Sequence, residues 1–296
     1  MTDPVNQSTR APVDPDYSNR RGFDELFLGV EVPLPELAAA TRRLDPGGAG
    51  GGGDSVLRYE HFSITMSASR KLAYFVAVNI DGARTIDLGP RGHDVWIFDE
   101  RIPQGQQMGN WLYDDNDFDR GHLVRRLDPV WGDSREEALR AEADTFHFTN
   151  CAPQHWRFNR LREFWQGIEG YILDSVGVHD LRISLFTGPV LADDDPEMEG
   201  TQVPRDYWKV VAMRKRDGTL AAAAYVLSQG ELLKAPPEEF VFGEYKTFQV
   251  RVPELEERTG LSLGELGDHD SFARLRAAEV GVPDRIELEQ HAQMVI

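Results

Sequence analysis

The run Asp119-Arg120-Gly121-His122-Leu123 sets an imidazole beside a guanidinium. Further along come Asp144-Thr145-Phe146-His147-Phe148-Thr149-Asn150-Cys151-Ala152-Pro153-Gln154, then Asn159, Trp165 and Glu169. An imidazole takes a proton from water near neutral pH. The side-chain oxygens of Asn and Glu suit a hard cation such as Mg²⁺, and Mn²⁺ accepts the same donors. A guanidinium neutralises phosphate oxygens. Together these groups are the equipment for hydrolysing a phosphodiester with one metal ion.

Such groups act only if regular elements hold them. Tyr59 to Met66 and Leu72 to Asn79 are rich in aromatic and β-branched residues and read as an antiparallel pair. Residues 134–144 predict a helix with Ser134 as N-cap and Glu137 as its capping-box partner, followed by a short strand over 146–150. From Asn159, the residues Leu161, Phe164, Trp165, Ile168 and Ile172 form one apolar stripe of a helix that ends by 174–177. Strands follow at Leu181–Thr187, Trp208–Met213 and Leu220–Leu227, the last two joined by an Asp217-Gly218 turn. A strand near Thr247–Val252 and a short helix at Pro253–Thr259 precede a charged, weakly patterned C-terminal stretch. The fold class expected is α+β, a mostly antiparallel sheet with packed helices.

The 296 residues are 41% hydrophobic and 28% charged, enough apolar material for a real core. Residues 1–22 are polar and Pro-punctuated and predict disorder. Residues 23–44 read as an apolar segment with a short helix that packs onto the body, and Gly-rich residues 46–55 as a flexible linker. The expected division is an N-terminal extension over 1–55, a main domain over 56–275 and a tail over 276–296. The single cysteine, Cys151, excludes an internal disulfide. No apolar run predicts a membrane span. The N-terminus has no apolar h-region, which predicts a cytoplasmic protein, or export by a route that leaves no N-terminal mark.

The net charge of −18, from 50 acidic and 32 basic residues, runs against a nucleic-acid partner. The arginines are locally grouped, however: Arg120, Arg125 and Arg126 surround His122, Arg157, Arg160 and Arg162 surround Asn159, and Arg214, Lys215 and Arg216 form a third group. A small basic cleft on an acidic body binds phosphate with steep salt dependence, whereas the third group, beside an Asp-Gly turn, reads equally well as solvated surface.

The motifs DRGH at 119–122, TNCAPQ at 149–154, Asn159 and W-x-x-x-E at 165–169, in this order, resemble the non-specific DNA/RNA endonucleases with a ββα-metal (His-Me finger) active site, the endonuclease G-like group. Weaker likeness over 61–82 and 206–229 extends the resemblance to roughly residues 56–266. The resemblance implies a metal-dependent, sequence-non-specific endonuclease that cuts DNA and RNA and leaves 5′-phosphate ends. His122 would be the general base, on a strand facing the helix that holds the metal. Asn159 would bind the ion, Mg²⁺ or Mn²⁺, and Glu169 its waters. On a regular helix, ten residues at roughly 100° each leave Asn159 and Glu169 about 80° apart. Either Asn159 precedes the regular helix, or Glu163 takes the place of Glu169. Arg120 and an arginine upstream of DRGH would contact phosphate; Arg91 is the candidate, with Arg84 and Arg101 competing. Asn150 and Asp119 would shape the site by fixing the loop and orienting His122. Gly121 would allow close backbone approach, and Trp165 is core.

Structural explanations stand beside these. Asn159 also suits a helix cap, Arg120 a salt bridge to Asp117 or Asp119, and His147 and His155 lack matching neighbours. No histidine pair has zinc-ligand spacing. Rival functions are a catalytically silent nucleic-acid-binding protein and a nuclease restrained by a protein inhibitor or by segment 23–44. Assembly state is open between monomer and homodimer.

Overall fold

A computed structural model describes residues 16–38, 55–90, 92, 94–160, 165–178, 180–234, 247–278, 281–283, 285–288 and 294–296. The expectations for residues 1–15, for the Gly-rich stretch up to 54, and for Arg91, Leu161, Arg162, Glu163 and Phe164 lie outside these. The strands are β1 (Glu36–Leu37), β2 (Val56–Arg58), β3 (Phe62–Met66), β4 (Ala73–Asp81), β5 (Phe118–His122), β6 (Cys151–His155), β7 (Arg182–Pro189), β8 (Glu197–Met198), β9 (Thr201–Gln202), β10 (Asp206–Arg214), β11 (Leu220–Ser228), β12 (Thr247–Val250), β13 (Leu261–Ser262) and β14 (Ile286–Glu287). The helices are α1 (Arg135–Asp144), α2 (Trp156–Arg160), α3 (Trp165–Val178), α4 (Val252–Thr259) and α5 (Ser271–Ala278).

Among the described residues the main sheet runs β14-β12-β11-β10-β7-β4-β3-β2, with every neighbour antiparallel. Both faces are covered, so its central strands are apolar on both sides instead of alternating. On β10, Tyr207 and Val211 face one core, while Trp208, Val210 and Ala212 face the other. Of the apolar stripe expected from sequence, Trp165, Ile168 and Ile172 of α3 enter the first core, joined by Val176. The second takes Phe23, Phe27, Leu28, Val32 and Leu37, together with Val252 and Leu255 of α4. The α+β expectation is met.

Three local expectations are corrected. Residues 16–22 are ordered: Arg20 Nε donates to Asp144 Oδ2 at 2.7 Å, with both side chains fully buried, a partner that local composition does not reveal. Within 23–38 the chain makes turns and β1 pairs with β13, while residues 39–44 of the segment expected to hold a short helix lie outside those described. Residues 146–150 are not a strand. Asn150 N bonds back to His147 O at 2.9 Å, closing a 3₁₀ turn over Phe148–Asn150, and pairing begins at Cys151. Ser134 caps α1 by accepting from Glu137 N, but Glu137 Oε2 accepts from Asp133 N at 2.7 Å and not from Ser134 N, because its other oxygen faces His61. The weakly patterned C-terminal stretch also contributes an edge strand, β14.

Candidate active site

The hairpin β5–β6 and the helices α2 and α3 form a ββα unit packed on the first core. Asp119 pairs with Gln154, Gly121 with Ala152 and His122 with Cys151. A Cβ on Gly121 would lie 2.1 Å from Gln154 Oε1, so only glycine lets this side chain lie across the strand. His122 ends β5. Its ring packs 4.7 Å from Trp96 and edge-on to Phe146 at 4.9 Å. Its carbonyl accepts from Trp165 Nε1 at 3.3 Å, which ties the strand end to α3.

The chain leaving His122 is clamped by Asn150. Its Oδ1 accepts from Val124 N at 2.9 Å, and its Nδ2 donates to Val124 O and Thr145 O, each at 2.9 Å. Asn150 is fully buried and does not line the cleft. These bonds hold the loop that follows His122, and they place Asn150 behind the cleft and not on its lining.

His122, Arg120, Arg125, Asn159 and Glu169 line one cleft of about 470 Å³, with Asp94 and Trp96 on its wall. Asn159 sits inside α2, not at its N-cap, and Glu169 sits on α3. The residues between them, 161–164, lie outside those described, and with them Glu163, the alternative to Glu169. Asn159 Nδ2 donates to Asp119 Oδ2 at 2.9 Å. A carboxylate only accepts, so the amide nitrogen faces Asp119 and Oδ1 is the end left for a cation. Asp119 thus orients Asn159, and its carboxylate also binds Arg160. It has no bond to His122 among those described. Among the described residues Arg120 is not paired with an acid: its Nε donates to Asn110 Oδ1 at 3.1 Å, and its guanidinium lies 5.3 Å from the Tyr113 ring.

Behind Glu169 lies a buried charge cluster that motif reading missed. Lys209, on β10, is fully buried with Nζ 3.2 Å from Glu169 Oε1 and 4.0 Å from the Trp165 ring. Arg125 NH1 donates to the Glu169 carbonyl at 3.3 Å. Burial pushes the Glu169 carboxyl upward, and Lys209 and Arg125 oppose this. Burial, reinforced by Glu169, pushes the Asp128 carboxyl up to about 7. The available signal was a lysine inside an apolar strand, in register with the inward-facing Tyr207 and Val211. The remaining donors are an amide oxygen and a carboxylate, an all-oxygen set that fits a hard dication such as Mg²⁺ or Mn²⁺.

Other expectations resolve elsewhere. Arg84 pairs with Asp133 and Arg101 with Asp99, both outside the cleft. Arg91 is not among the described residues, but Asp94 and Trp96 from the same stretch are on the cleft wall. His147 is buried, with its nitrogens on Asp144 O and Tyr17 Oη, and burial lowers its pKa. His155 also lies outside the cleft. Arg214 donates to Gly218 O within its own hairpin.

The crystal structure of the EndoG/EndoGI complex is similar in fold, with TM-score 0.54 and 19% identity, over 73% of this chain and 87% of that chain. An uncharacterized protein of Sinorhizobium fredii, y4fB, is 44% identical over 260 residues. That match covers 83% of this chain and 39% of the relative, so the chain spans about two fifths of that protein's length. The family model for DNA/RNA non-specific endonucleases matches residues 40–268. The chain belongs to the DNA/RNA non-specific endonuclease family.

Proposed function

We propose that the cleft hydrolyses phosphodiester bonds of DNA and RNA without sequence preference, leaving 5′-phosphate ends. The observation carrying this reading is the convergence of His122, Arg120, Asn159 and Glu169 on one cleft. His122 takes a proton from water as the water oxygen bonds to phosphorus. The bond from phosphorus to the 3′-oxygen breaks, and that oxygen takes a proton from solvent. Arg120 and Arg125 attract phosphate oxygens and orient the backbone. Phosphate contacts carry little sequence information, in keeping with non-specific cutting. Asn159 Oδ1 and Glu169 would hold Mg²⁺ or Mn²⁺, and a bound dication supplies charge neutralisation at the phosphoryl group.

The test is cleavage of supercoiled plasmid and single-stranded RNA in Mg²⁺ and in EDTA, by wild type and His122→Ala. Cutting that needs the metal and His122, with the fold intact by circular dichroism, is the expected result. Cutting by His122→Ala at the wild-type rate overturns the assignment.

A protein inhibitor seated on this cleft is part of the proposal. Its support is the likeness in fold to EndoG, which is inhibited in its complex with EndoGI. Self-restraint by a plug from 23–44 has no such support: no described residue of 16–38 lines the cleft, and the core residues of 23–38 pack on the opposite face of the sheet.

A further inference from the structure

Away from the cleft, Glu60, His61 and Glu137 bring three ligand atoms within 4.8 Å of one another. His61 Nδ1 lies 2.9 Å from Pro129 O. A carbonyl only accepts, so Nδ1 carries a proton. The other ring nitrogen, Nε2, then faces Glu137 Oε1 at 3.1 Å and Glu60 Oε1 at 3.7 Å. Three potential ligand atoms converge on one point, where a metal ion would meet all of them.

We propose that these residues form a second metal site, for a borderline transition-metal dication of the Zn²⁺ type. Every ligand is held from behind. Glu60 Oε2 accepts from Arg140 Nε at 2.7 Å, and Glu137 Oε2 accepts from Asp133 N at 2.7 Å. The His61 ring stacks on Trp131 with centroids 3.6 Å apart. Fixing the far atom of each ligand while leaving the near atom convergent is how metal sites orient their donors. Two ligands about 2.1 Å from a tetrahedral ion are roughly 3.4 Å apart, and the separations of 3.1 and 3.7 Å bracket that value. His61 and Glu60 are buried, whereas the Glu137 side chain is 24% exposed and gives an approach for the ion and a water.

The donor set separates the two sites. One imidazole with two carboxylates favours Zn²⁺-like ions, whereas the all-oxygen cleft favours Mg²⁺. None of the three residues lines the cleft. Glu137 belongs to the first turn of α1, and Glu60 and His61 to the loop between β2 and β3. An ion here ties that loop to α1 and acts on stability. The proposal stands apart from the nuclease reading, and its readout is metal binding.

The test uses the tag-free full chain, stripped of metal and titrated calorimetrically with ZnCl₂ in excess Mg²⁺. Co²⁺ in place of Zn²⁺ reports coordination through its visible d–d bands. The expected result is about one equivalent of Zn²⁺, a raised Tm, and binding weakened at least about tenfold in His61→Gln and in Glu137→Gln, with Asn159→Ala unaffected. Melting curves check that the variants fold, and either one suffices if the other does not. No Zn²⁺ uptake by folded wild type, uptake unchanged in a folded variant, or uptake lost in Asn159→Ala each overturns the proposal.

Discussion

Asp119 accepts a hydrogen bond from Asn159 Nδ2 at 2.9 Å, so the strand that carries His122 also sets which way the Asn159 amide faces. The proposed base and the proposed metal ligand are thereby held in one frame, across a separation of 40 residues. Asp119→Asn provides a donor where only an acceptor stood and lets the Asn159 amide flip. The Mg²⁺ concentration for half-maximal plasmid cleavage is expected to rise about 10- to 100-fold, the range typical for loss of a residue that orients a ligand. Maximal rate at saturating Mg²⁺ should fall much less. An unchanged Mg²⁺ requirement counts against this role.

Gly121 is required by its neighbour across the hairpin. Gly121→Ala drives a methyl into the fully buried Gln154 side chain, a contact of 2.1 Å that must be relieved by moving the strand or the glutamine. Overpacking of this kind costs about 1–3 kcal/mol. Urea denaturation should show that loss, and Gly121→Ala/Gln154→Ala should recover part of it. Additive losses in the double variant would refute the steric cause.

Asp128 makes stability fall with pH. Burial pushes its carboxyl up to about 7, with Glu169 adding to the effect, whereas an unfolded Asp titrates near about 4. Between these values the native chain keeps a proton that the unfolded chain has released. This contribution is therefore lost as pH rises from about 4 to about 7 and is level above, with a slope of at most about 1.4 kcal/mol per pH unit. Asp128→Asn keeps an acceptor for Arg125 N and removes the titration. The variant should gain on wild type between pH 5 and pH 7.5 in urea melts. A constant difference across that range is the contrary result.

Removal of residues 1–55 should unfold the protein and not simply release activity. Phe23, Phe27, Leu28, Val32 and Leu37 are all buried against the sheet. Burying each such side chain contributes about 1.5–3 kcal/mol, and the sum rivals the roughly 5–15 kcal/mol of a typical domain. Thermal circular dichroism of the truncated chain should show no cooperative transition. A melt like that of the full chain would contradict this layer's role.

Legible in the chain were the strand pairs, the α3 stripe and the motifs whose resemblance to non-specific endonucleases grouped His122, Arg120, Asn159 and Glu169 around one expected chemistry. Those features are local: a period of two or 3.6 residues, or a short run of fixed residue types, is written directly in the chain. Tertiary structure alone decided the rest. It showed that Asn159 shares a cleft with Glu169, and that a buried lysine on β10 stands behind that glutamate. It turned a polar N-terminal stretch into a buried ion pair, Arg20 with Asp144, across 124 residues. It also gathered Glu60, His61 and Glu137 from distant segments. The physical reason is common to all of these. A buried charge or a convergent ligand set is stabilised by groups far off in sequence, and periodicity holds no record of which of them meet.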